Sequence, residues 1–191
     1  MLIGTAKVEI YLEKLIDVIL PSKTKAYKSR LTNYPGPLSS LSGKIELLYA
    51  FRIIDEQVYQ SLNALRKIRN DAAHSANIFS LNGLKDQLEK VYNFEYGFPE
   101  ATQQVAYDNL IAWKHHLIKG SFEKSKFTDY DWRTIWDENY PEPLENETIA
   151  SQFIIWKLAY GLTFLCLKIE VVTDEIANFC STAGTWIQLS L

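Results

Sequence analysis

LNALRKIRNDAAHS, residues 62–75, decides the fold class of this chain. Set on an α-helix at about 100° per residue, Val58, Leu62, Leu65, Ala72, Ala73 and Ala76 share one stripe, and Arg69 falls in its middle. A guanidinium withdrawn from water is costly unless carboxylate or carbonyl oxygens take up its donors, so Arg69 is expected to meet a partner elsewhere in the fold. Two explanations of such an arginine stay open: a structural clasp between helices, or part of a functional site. Asn63, Lys67, Asn70 and His74 gather on the opposite side, Asn70 and His74 one turn apart. A histidine at a helix end is also favoured by the macrodipole, whatever else it does.

Working outward, the spacing on either side is again helical. Val8, Tyr11, Leu12, Leu15, Ile16 and Ile19 predict a first helix over 7–20, stopped by Pro21. Residues 22–37 mix Lys23, Lys25, Lys28 and Arg30 with Pro35, Gly36 and Pro37, and read as a basic, irregular loop. A helix over 41–51 follows, with Ser39, Ser40 or Ser42 placed to cap it. Asp55 is an N-cap for the 62–75 helix, with Ile54 and Tyr59 at the two positions of a hydrophobic staple. Ser80 caps a fourth helix carrying Leu81, Leu84, Leu88 and Val91. Pro99 suits the first turn of a fifth, which Gly120 closes. His115 and His116 in that helix point about 100° apart, a poor geometry for sharing a metal.

Periodicity is lost over 121–148, where Phe122, Phe127, Tyr130, Trp132, Trp136 and Tyr140 alternate with charges. Aromatic rings beside Lys124, Lys126 and Arg133 suit base stacking, but the many carboxylates there repel phosphate. An irregular excursion pinned by its aromatics, or a partner surface, is the better reading. Residues 149–172 are the most apolar in the chain and predict a buried helix, too interrupted by Lys157, Lys168 and Glu170 to span a membrane. Thr173 is expected to cap a last helix over 174–180. The chain thus reads as one all-α domain of six to seven helices, with 1–88 as its first half.

Read together, Arg69-Asn70-Asp71-Ala72-Ala73-His74 resembles the R-x4-H pattern, with a polar residue after the arginine, that marks HEPN domains. PGPLSSLSGKIELLYAFRIIDEQVYQSLNALRKIRNDAAHS, residues 35–75, resembles the signature region of the mannitol operon repressor family, whose helical fold is similar to the HEPN group. Ala72 departs from that family, which tends to place a large apolar residue here; the match covers about half the chain. It implies a HEPN-like helical bundle and a cytoplasmic regulatory protein acting on transcription through a protein partner. The HEPN likeness implies an alternative: a metal-independent endoribonuclease in which the RNA 2′-hydroxyl attacks the adjacent phosphate. His74 would move the proton, Arg69 would hold the developing phosphoryl charge and Asn70 would orient phosphate or imidazole. On a regular helix Arg69 and His74 diverge by about 140°, so the enzyme needs either a helix broken before His74 or a homodimer paired across this helix.

Composition sets outer bounds. A chain of 191 residues is long enough to bury a core of its own, roughly 70% of its unfolded surface. Cys166 and Cys180 are its two cysteines and read as reduced core thiols, consistent with a cytoplasmic setting; the first residues resemble no export leader or anchor. Net charge is −3, which argues against a surface that grips nucleic acid all over. No phosphate-loop, dinucleotide or zinc motif occurs in the sequence, so no cofactor and no metal is expected. No helix pair shows a basic recognition face, so direct DNA binding is not expected, while RNA stays open through the alternative.

Overall fold

The computed structural model describes residues 2–20, 25–74, 85–121 and 147–189, and the side chains within 4–20, 25–74, 86–112 and 150–182. Seven helices and no strand occur among the described residues: α1 Leu2–Ile19, α2 Lys25–Thr32, α3 Leu41–Ala50, α4 Glu56–His74, α5 Lys85–Tyr92, α6 Phe98–Ser121 and α7 Glu147–Leu189. The described residues form the expected all-α bundle of six to seven helices.

Apolar spacing at three and four residues builds the core. Val8, Leu12, Leu15 and Ile16 of α1 meet Leu41, Ile45 and Leu48 of α3, Val58, Leu62, Leu65 and Ile68 of α4, and Leu158, Leu162, Leu165, Cys166 and Ile169 of α7. The first helix and the last lie against each other, and α5 packs between α4 and α7. Two glycines set how closely α7 approaches: a Cβ on Gly4 of α1 would stand 2.6 Å from Leu162 Cδ1, and one on Gly161 would stand 2.6 Å from Tyr92 Cβ. A smaller cluster of Ala106, Leu110 and Phe153, flanked by Tyr107, Trp156 and Tyr160, joins α6 to α7.

Five sequence expectations about the fold need correction. Cys180 is exposed and is not a core thiol, unlike the buried Cys166. The basic stretch 22–37 is not wholly irregular, because α2 forms within it; none of its residues is buried, so no apolar periodicity announced it. The helix expected to end at Gly120 continues to Ser121. No break occurs at Thr173, whose hydroxyl donates at 2.7 Å to the Ile169 carbonyl one turn back, so the two expected C-terminal helices are one of 43 residues. The stripe of α4 bends toward Ile68, which is fully buried, rather than running through Arg69, which is half-buried. The expected cap at Ser80, the apolar positions Leu81 and Leu84, and the aromatic excursion over 122–146 lie outside the described residues.

Local signals were sound elsewhere. Ser40 caps α3 by accepting from the Gly43 N–H at 3.1 Å, and Asp55 caps α4 by accepting from the Val58 N–H at 2.8 Å. Between them the chain turns through a Schellman motif: the Ile53 N–H donates to the Leu48 carbonyl and the Arg52 N–H to the Tyr49 carbonyl. Arg52 occupies the left-handed position with φ 56, where glycine is usual, and its side chain is exposed. Arg52→Gly is therefore expected to raise stability by about 0.5–1 kcal/mol, read as a shift in urea midpoint at constant slope.

Candidate functional site

α4 turns one face to the core and the other to a cleft, and its sequence sets both. Val58, Ser61, Leu62, Leu65 and Ile68 are buried, with the Ser61 hydroxyl donating to the Lys90 carbonyl of α5 at 2.8 Å. Tyr59, Gln60, Asn63, Arg66, Lys67, Asn70 and Asp71 face the other way. Together with Glu46 of α3 and with Gln87 and Lys90 of α5 they line an open cleft of about 640 Å³. That volume is within the range of small-molecule and peptide-anchor sites.

Charge in the cleft is mixed. Arg66, Lys67 and Lys90 contribute cations, Glu46 and Asp71 carboxylates. Arg66 Nε donates to Asn63 Oδ1 at 3.2 Å, which ties the guanidinium to the preceding turn of α4. Gln87 Oε1 is buried and has no hydrogen-bond partner among the described residues, which leaves an unsatisfied acceptor in a lining residue. At the α3 end, the rings of Tyr49 and Tyr59 stack with centroids 4.1 Å apart. The Tyr49 hydroxyl donates to Glu56 and the Tyr59 hydroxyl to Glu46, the latter at 3.0 Å. These bonds to carboxylates hold both phenols above their ordinary range, and the Tyr49 and Gln60 donors hold the Glu56 carboxyl below its own.

The three candidate site residues do not converge. Asn70 is exposed and lines the cleft, as do Asn63 and Lys67 of the expected polar side. His74 is exposed at the last position of α4 and does not reach the lining. Arg69 is half-buried and also outside it. No break precedes His74, so α4 stays regular from Glu56 to His74 and the two residues keep their separation of about 140°.

Arg69 was expected to meet carboxylate or carbonyl oxygens; among the described residues it has no hydrogen bond and no ion pair. The cause lies in the last turns of α4. Ala72 is only half-buried and Ala73 exposed, so the core ends at Ile68 and the arginine stem reaches water past small neighbours. Arg69→Ala is accordingly expected to cost less than about 1 kcal/mol in chemical denaturation, not the several kcal/mol of a stranded buried charge.

One ionic cluster lay unremarked in the sequence. Lys44 of α3 is 3% exposed, and its ammonium donates to Glu9 Oε1 at 2.8 Å and Glu13 Oε1 at 2.6 Å, one turn apart on α1. Burial works to lower its pKa, but the hydrogen bonds to Glu13 and Glu9 and their charge more than reverse this, and the pKa is raised. A signal for it existed: Lys44 stands three residues after Leu41 and four before Leu48, on the apolar face of α3. Among the described residues no group of three His, Cys, Asp or Glu side chains is placed to hold a metal ion, and no helix is long and apolar enough to cross a membrane.

No family model, curated protein or solved structure matches the chain.

Proposed function

We propose that this chain is a cytoplasmic regulatory protein, of the kind its resemblance to mannitol operon repressors implies, acting on transcription by binding a protein partner with the outward face of α4. The observation that carries this is the regularity of α4: Arg69 and His74 point apart, while Asn63, Arg66, Lys67 and Asn70 share one cleft with Gln87 and Lys90. A mixed row of amides and both signs of charge suits recognition of a polar protein surface, where charge pattern sets partner choice. It is a poor fit to a duplex, which demands a uniformly basic face.

The ribonuclease alternative keeps one specific support. Arg69 has no hydrogen bond or ion pair among the described residues and His74 is exposed, so both are available to a second copy of the chain paired across α4. Such a pair would bring Arg69 of one copy near His74 of the other and allow in-line attack by a ribose 2′-hydroxyl.

One experiment separates the two. Transcripts are compared in cells lacking the gene and in cells complemented with wild type, with His74→Ala, or with the pair Lys67→Glu/Lys90→Glu, all at equal soluble protein level. The regulatory function is expected to be restored by wild type and by His74→Ala and lost in the charge-reversed pair. Failure of His74→Ala to complement, with cleavage of RNA by wild type that leaves 2′,3′-cyclic phosphate ends, would transfer the assignment to the enzyme.

A further inference from the structure

Taking the outward face of α4 as a partner-binding surface, on which this inference rests, we propose that its occupant is an extended segment of the partner carrying one carboxylate flanked by basic side chains. The charges of the cleft are ordered along its length. Glu46 stands at the α3 end, where it accepts from the Tyr59 hydroxyl at 3.0 Å, and Asp71 stands in the last turn of α4. Arg66 and Lys67 lie between them, and Lys90 joins from α5, whose backbone the Ser61 hydroxyl ties to α4. The order is acidic, basic, acidic. None of the three cations has an ion pair among the described residues, whereas Glu46 already has a donor. Arg66 spends Nε on Asn63 Oδ1 at 3.2 Å, which leaves its two Nη groups as the fork that a carboxylate takes in two parallel hydrogen bonds.

This order decides the occupant. A nucleic-acid strand carries a phosphate at every nucleotide, so one that reached the cations would also set phosphates against Glu46 or Asp71. A lone inorganic anion would satisfy the middle of the row and leave both acidic ends unmatched. A peptide varies its charge from residue to residue and can match all three zones. Its spacing follows from the two backbones. Tyr59, Arg66 and Asp71 stand about 10 Å and then about 8 Å apart along the axis of α4. An extended chain advances about 3.3 Å per residue, so basic side chains are expected about three positions from the carboxylate on one side and about two on the other. Asn70, exposed and without a hydrogen bond among the described residues, is left to bond the peptide backbone between them.

A phage-displayed library of random nonapeptides, panned against the full chain, tests it, far-UV circular dichroism confirming the fold of each variant. Wild type is expected to enrich Glu or Asp with Lys or Arg about two to three positions away on both sides, and Lys67→Glu/Lys90→Glu to enrich no such sequence. A synthetic peptide of that consensus should bind wild type. Its affinity should fall at least about tenfold when its carboxylate is changed to the amide, and at least about tenfold against the charge-reversed pair. A library that enriches nothing, a consensus without a carboxylate, a peptide indifferent to the charge-reversed pair, or an oligoribonucleotide bound more tightly than the peptide would each overturn the proposal. These outcomes are separable from the fate of the regulatory reading. A charge-reversed pair that still complements in cells would remove that reading while the peptide chemistry stood, and an uncharged consensus would remove the peptide chemistry while the loss of complementation stood.

Discussion

Removing both carboxylates from the Lys44 cluster, as Glu9→Ala/Glu13→Ala, is expected to cost about 3 kcal/mol, because it leaves an ammonium in the core without a counter-charge. Both acids are partly exposed, at 26% and 54% of their side chains, so they lose little by being absent, and the cost arises at Lys44, whose side chain is 4% exposed. Adding Lys44→Met should return most of the loss, since an apolar side chain of similar length fills the same space between α1 and α3. Urea melts of the double and triple variants check this; a triple variant no more stable than the double would show that the ammonium reaches water. The pH dependence has a definite sign. Because the folded pKa is raised above 10.5, the contribution of Lys44 is complete below that value and is lost as pH rises through the folded one. The advantage of wild type over the triple variant should fade in that alkaline window and not in acid.

The second large effect belongs to Leu65. It is fully buried in the middle of α4, where the core residues of α4 pack among those of α1, α3 and α7, and Leu65→Ala should cost about 2–5 kcal/mol. Its place in that range depends on how far Leu62 and Ile68 relax into the gap. A loss below about 0.5 kcal/mol would mean that the stripe had been placed on the wrong face of α4.

How far the sequence could be read is clearest from paired residues. Val58, Leu62 and Leu65 declared the buried face of α4 because three apolar positions agree in phase, and Asp55 and Ser40 declared their helix starts because a cap is a local bond. Arg69 shares that phase, yet phase does not say where a neighbouring helix ends, and the core stops one turn too early to enclose it. Lys44 is the converse: equally in phase with Leu41 and Leu48, but its enclosure depends on Glu9 and Glu13, more than 30 residues away in sequence. For the cleft, Asn63, Lys67 and Asn70 were legible as one helix face. Gln87 and Lys90 were not, because they join it only through the packing of α5 on α4. The continuity of α7 was hidden by Thr173, whose hydroxyl can cap a new helix or bond back to its own, and here bonds back.

The contact between α1 and α7 also bears on how the chain is made. The apolar face of α1, with Val8, Leu12, Leu15 and Ile16, leaves the ribosome well before α7, which helps to cover it. α3 and α4 can shelter part of it during synthesis, but the side facing Leu162, Leu165 and Ile169 waits until α7 has been translated. Such end-to-end closure is slow to form and leaves apolar surface open meanwhile. Synthesis that stops before residue 147 therefore leaves a product in which that side of α1 is uncovered, a ready target for chaperones and proteases.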